Sequence, residues 1–271
     1  MSKITDTNFY LPEVYPVIYH QNFINSANKP LLITGVEKQN GAKDDFVVKL
    51  RSAERMSSEA FMRELLGAFI ALELEIAVVK PVIIDVGEEF LELLKGHDCW
   101  VIAGKSIGYN YGSQYIRGYN APVLNQTLSD KLLPFAQNIF AFDLLIQNMD
   151  RTEAKPNMLT NGEEIVILDH EIAFGFVFDF LLKGSPGEFS DSDHHWIGNH
   201  CLLSLIKGKS FDFENFSVKL ERLNDDFWNK AWEFTPDDWK NKDQFDKIKN
   251  FISGVRDNRN IFIQELKKIM S

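Results

Sequence analysis

One stretch limits what this chain can fold into more than any other. Phe142-Asp143-Leu144-Leu145-Ile146 ends an apolar segment, and Gln147-Asn148-Met149-Asp150-Arg151-Thr152-Glu153-Ala154-Lys155-Pro156-Asn157 follows as a polar loop. After a short hairpin, Ile165-Val166-Ile167-Leu168 runs into Asp169. A short continuous apolar run bounded by turn residues reads as a buried strand, so this one delivers Asp169 at its end. Chemistry at a metal-bound nucleotide asks for such a set. It needs one carboxylate facing an attacking hydroxyl, with an amide and a second carboxylate for a divalent ion. Taken singly, Asp150 and Asn157 are also ordinary turn residues, and Asp169 an ordinary strand-end cap.

Together these residues resemble the catalytic Asp, metal Asn and metal Asp of the protein-kinase-like superfamily. The forms Asn148-Met149-Asp150-Arg151-Thr152, Lys155-Pro156-Asn157-Met158-Leu159 and Leu168-Asp169-His170-Glu171 most resemble HipA-like kinases. Three departures from ordinary protein kinases favour that side. No His-Arg pair precedes Asp150, the seven-residue step to Asn157 is longer, and Glu171 stands where a glycine usually follows the metal Asp. The resemblance implies an α+β, bilobal protein-kinase-like fold, with a small antiparallel sheet and one helix followed by a mainly helical lobe. It implies ATP and magnesium as cofactors, with Asp150 as catalytic base and Asn157 and Asp169 as metal ligands. Lys155, two before Asn157, matches a lysine that meets the transferred phosphate.

The rest of the chain is read against that expectation. In Asp45-Phe46-Val47-Val48-Lys49-Leu50 a period of two puts Phe46, Val48 and Leu50 on one face and Lys49 on the other. A lysine in an apolar strand is costly without a partner. Either it points to solvent from an edge strand, or it holds nucleotide phosphates. Ser57-Ser58-Glu59 opens a helix that runs to Glu73 with apolar residues at 61, 62, 65, 66, 69, 70 and 72. The family pattern calls for a glutamate here to pair with the strand lysine, and Glu64 matches. Strands over 14–20 and 30–34 flank Asn25-Ser26-Ala27-Asn28. That turn, with Ser26 and Asn28, would lie over the phosphates in a kinase-like lobe. It lacks the usual glycines, and a plain hairpin turn reads equally well. Gln114-Tyr115-Ile116 reads as the strand entering the hinge, where the backbone at Tyr115 would meet the adenine.

Further expectations are coarser. Residues 1–10 read as a polar arm, residues 76–86 as two strands around a Pro turn, and residues from Thr127 to Gln147 as one buried helix. Thr235-Pro236-Asp237-Asp238 reads as a helix start. His194, His195, His200 and Cys201 fit no zinc spacing and read as a helix N-terminal region with partly buried histidines. Trp228, Trp232 and Trp239 read as core. The lobes are expected at 1–119 and 120–271.

Composition narrows the classes. With 271 residues, 45% hydrophobic and 22 Phe, the chain can bury a sizeable core. A net charge of −10 argues against a broad basic face for nucleic acid, though not against ATP. Two cysteines are too few for a disulfide framework, which suits a reducing cytoplasm, and no apolar run reaches membrane length. The function expected is a kinase acting on a hydroxyl, protein Ser or Thr first. The resemblance adds toxin–antitoxin systems, and with them an antitoxin partner. A lipid or small-molecule kinase and an inactive, nucleotide-dependent binding module are the alternatives.

Overall fold

The computed structural model describes residues 2–24, 26–54, 56–124, 126–178 and 185–271. Five strands dominate the first part: β1 (Glu13–Asn22), β2 (Leu31–Glu37), β3 (Lys43–Lys49), β4 (Pro81–Val86) and β5 (Gly108–Gln114). They close into a barrel in the order β1-β2-β3-β5-β4, rather than forming the simple antiparallel sheet expected from sequence. Closure comes from a short parallel ladder, Glu13 to Ile83 and Val14 to Ile84. Alternation explains the filling. Val14, Leu31, Ile33, Phe46, Val48, Ile84 and Val86 all point into one apolar cluster. Gly112 makes room for it, since a Cβ there would meet Ile84 at 2.5 Å.

Three helices accompany the barrel. α1 (Ser58–Glu73) is capped by Ser57, whose side chain accepts from the Ala60 N–H. α2 (Glu88–Leu93) and α3 (Trp100–Gly104) bring Phe90 and Ala103 into the barrel core. Nearly the whole of α1 is buried, because it lies against the later helices as well, within the largest apolar cluster. α4 (Leu133–Leu145) starts later than its apolar pattern suggests, with Pro134 in its first turn. The hairpin β6 (Met158–Thr160) and β7 (Ile165–Ile167) follows. Then come α5 (Asp191–Gly198), α6 (Leu203–Ile206), α7 (Phe213–Leu220), α8 (Asp225–Phe234), α9 (Lys242–Asp257) and α10 (Arg259–Met270).

Several local expectations change. Residues 76–79 form no named strand; Val78 only bridges Ile167, and Pro81 begins β4 instead of turning the chain. Thr235 closes α8, its hydroxyl donating to the Ala231 carbonyl, while the next long helix is capped by Asn241. The N-terminal arm is docked. Ile4 is fully buried, the Thr5 hydroxyl donates to Glu73 at 2.7 Å, and the Phe9 ring meets Phe69 and Phe234 edge-on. Trp228 and Trp239 are core residues as expected. No helix among the described residues is long and apolar enough to cross a membrane.

Candidate active site

Lys49 is the last residue of β3, on the strand face opposite the barrel core. Its ammonium lies 2.6 Å from Asp169 Oδ1, 2.6 Å from Glu171 Oε2 and 3.2 Å from Glu64 Oε2. These groups come from three elements: β3, α1 and the segment after β7. Glu64 does not merely lie beside the apolar face of α1; it is buried, and it also accepts from the His170 backbone N–H at 2.7 Å. α1 can approach so closely because residue 67 is glycine, where a Cβ would sit 2.6 Å from the Cβ of His170.

The electrostatics are lopsided. Burial works against the charge on Lys49, but the carboxylates, Asp169 foremost, hold its pKa well above the ordinary lysine range. Burial raises Glu64 to about 7 despite Lys49, and also raises Glu171. Asp169, also opposed by burial, is pulled down by Lys49. The oxygens of Glu64, Asp169 and Glu171 lie within 4.8 Å of one another, the one group of this kind among the described residues. Among the described residues His170 has no partner for either ring nitrogen, and burial, assisted by Arg151, pushes it down to about 3, so it is neutral.

The loop after α4 holds the other acid. Asp150 is partly exposed and meets Lys155 at 3.2 Å. Arg151 turns the opposite way from its sequence neighbour. It is fully buried and forms a two-pronged pair with Asp143 of α4, its Nε at 2.5 Å and one terminal nitrogen at 3.1 Å. Its other terminal nitrogen donates to the carbonyls of Pro156 and Asn157. Arg151 therefore organises the loop and does not neutralise Asp150. His200 completes the set: its Nδ1 accepts from the Leu202 N–H, so its Nε2 carries the proton donated to Asp143 at 3.0 Å. Burial opposes ionisation of Asp143, but Arg151 and His200 outweigh it and hold the carboxyl down at about 2. The histidines thus divide: His200 is buried in this network, while His194 and His195 are exposed on α5.

Backbone strain gathers here. Gln147, Asn157, Asp169 and Phe174 are left-handed, with φ between +45° and +67°. Each such residue costs roughly 1–3 kcal/mol and persists only where its surroundings dictate it. The Asn157 carbonyl accepts from the Leu168 N–H at 3.1 Å, which brings Asn157 beside Asp169, and its amide nitrogen is buried without a partner among the described residues.

Of the candidates named from sequence, Lys49, Glu64 and Asp169 converge directly. Asp150 and Lys155 pair on the same loop as Asn157. Asn28, at the end of the β1–β2 turn, is buried and donates to Glu171 at 2.7 Å. Ser26 is exposed on that turn, and Tyr115 follows β5, its N–H donating to the Asp45 carbonyl. Among the described residues, neither Ser26 nor Tyr115 bonds to the Lys49 cluster. Asn25 lies outside the described residues. Glu171 and Asp143 received no role from sequence. The only signal for Glu171 was its place two residues past Asp169; for Asp143 there was none.

A sequence model of a family described as HipA-like kinase matches residues 38–262. No curated protein matches the chain. Among solved structures, CtkA, a proinflammatory kinase of Helicobacter pylori, superposes with a TM-score of 0.49 at 11% identity, covering 92% of this chain and 96% of that one.

Proposed function

Because this chain belongs to the HipA-like kinase family, we propose that it transfers the γ-phosphoryl group of ATP, with magnesium, to a hydroxyl, a protein Ser or Thr being the leading acceptor. We also propose the two-lobed division expected near residues 119–120, with the nucleotide between the lobes. The observation that carries this reading is the contact of Lys49 with Asp169 across 120 residues of chain, with Glu64 against both elements.

The residues present fit a divalent ion. Three carboxylates surround a single ammonium, and Asn157, beside Asp169, would serve the ion through its amide oxygen, since the amide nitrogen is a donor. Hard oxygen donors of this kind suit magnesium better than softer metals. A magnesium ion held by Asn157 and Asp169 would neutralise charge on the phosphate oxygens as transfer proceeds. Lys49, oriented by Glu64, would anchor the nucleotide's phosphates. Asp150 would accept or orient the proton of the attacking hydroxyl, and Lys155 beside it would meet the phosphoryl group in flight. Arg151 acts through the loop: by holding the Pro156 and Asn157 carbonyls it fixes where Asn157 and Asp150 stand. Ser26 and Tyr115 would touch the nucleotide only through the turn and the hinge. A toxin role with an antitoxin partner rests on kinship alone, and co-purification from the native host would test it.

Incubation with labelled ATP and magnesium tests the proposal. The native chain should transfer label or turn ATP over, and Asp150→Asn and Asp169→Asn should not. Tight nucleotide binding with no turnover under any partner would instead make the chain a binding module.

A further inference from the structure

The Lys49 ammonium has three N–H donors and no more. In this chain three carboxylate oxygens, from Asp169, Glu171 and Glu64, already surround it at 2.6, 2.6 and 3.2 Å. Two of its hydrogens are given to Asp169 and Glu171, and Glu64 pairs with it at longer range, so little of the ammonium is open to a phosphate while both stay.

The three are not equally movable. Glu64 sits on the long, buried α1 and is also bonded to the His170 N–H. Asp169 is set by a left-handed backbone at the end of β7. The carboxylate of Glu171 has its other named partner on a surface turn: the Asn28 amide donates to its Oε1 at 2.7 Å. That turn carries exposed Ile24, Ser26 and Ala27 and a left-handed Lys29. The main chain of Glu171 is fixed separately, through its carbonyl, which accepts from Arg63 Nε at 2.6 Å. Its side chain can leave while its backbone stays.

Resting on the nucleotide reading above, we infer that Glu171 is a built-in occupant of the phosphate seat: its carboxylate bridges Lys49 and the Asn28 turn in the nucleotide-free chain and must swing out before phosphates can bind. The bridge uses the two groups an incoming triphosphate would address, a lysine ammonium and a turn amide, and satisfies both with an anion of the protein's own. It also ties the β1–β2 turn to the Lys49 cluster. Phosphate entry and opening of this turn are then one event. The carboxylate lowers apparent nucleotide affinity by the fraction of time it holds the seat.

The test is binding of magnesium-free ATP, in excess chelator, to the native chain, Glu171→Gln, Glu171→Ala and Lys49→Met. Removing the occupant should tighten ATP binding about tenfold or more in Glu171→Ala, within the span usual for a conformational coupling. Glu171→Gln should fall between Glu171→Ala and native, because its amide can still bridge but no longer pairs with an ammonium. Equal or weaker binding in both Glu171 variants, or an equal gain in both, which removal of charge alone would give, would overturn the inference while leaving the nucleotide reading intact. If native chain and Glu171 variants bind no nucleotide with or without magnesium, or bind it as Lys49→Met does, the nucleotide reading fails and this inference with it. A thermal unfolding scan of each variant separates loss of fold from loss of binding.

Discussion

The molecule holds two buried charge clusters, one around Asp143 and one around Lys49, and they are built on opposite plans. Around Asp143 the charges balance: one carboxylate and one guanidinium, with an imidazole donating to the carboxylate. Around Lys49 they do not, since one ammonium faces three carboxylates. A balanced buried pair is costly to break but asks for nothing from outside. An excess of buried negative charge is relieved by protonation or by a cation, which is why burial raises Glu64 and Glu171. The contrast separates a satisfied cluster that holds the loop from an overcharged one that we propose a ligand completes.

That contrast can be broken in order of expected effect. Asp150→Asn should cost on the order of 10²- to 10⁴-fold in phosphoryl transfer, with unfolding midpoint unchanged, because Asp150 is partly exposed and paired only with Lys155. Asp143→Asn should instead show up in stability. It leaves the Arg151 guanidinium buried without its counter-charge, and denaturant titration should register a loss of about 3–5 kcal/mol. A stable Asp143→Asn chain would erase the distinction between the clusters.

Intermediate effects sharpen it. Acid unfolding should show the Asp143 contribution. Its carboxyl falls from 3.8 to about 2 on folding, so its stabilisation is complete above the unfolded value and is lost as pH drops through the folded one. The span corresponds to about 2 kcal/mol, readable as the difference in acid limb between native and Asp143→Asn chains. Gly67→Ala should gain helix propensity of about 1 kcal/mol yet lose roughly 1–3 kcal/mol to the clash with His170. Its transfer activity should fall more than its stability, because α1 carries Glu64 away from Lys49. Smallest in stability is Glu64→Gln. Removing a carboxylate from a cluster that has too many should leave unfolding within about 1 kcal/mol of native, while transfer drops as Lys49 loses its guide.

How much of this was legible in sequence follows from which signals are local. The alternation around Lys49, the spacing of α1 and the apolar run ending at Asp169 all report burial through period, and period is written in consecutive residues. The closed barrel was not legible, because the parallel pairing of β1 with β4 joins residues 70 apart, Glu13 to Ile83, with no local mark. Pro81 misled for the same reason: proline signals a turn, yet it is equally tolerated as the first residue of a strand. Arg151 and Asp150 are adjacent in sequence. Their side chains diverge, and the partner of Arg151, Asp143, lies eight residues earlier on α4. A buried ion pair leaves no spacing signature, so Asp143 and His200 could be found only in three dimensions.

The central claim is that the overcharged cluster is completed by a divalent ion and nucleotide phosphates. Calorimetric titration of ATP with and without magnesium, into native chain and Asp169→Asn, tests it most directly. The account predicts that magnesium tightens binding to the native chain by about tenfold or more, worth about 1.4 kcal/mol, and that Asp169→Asn folds normally but no longer responds to the ion. Equal magnesium dependence in the two chains, or native binding indifferent to magnesium, would contradict it.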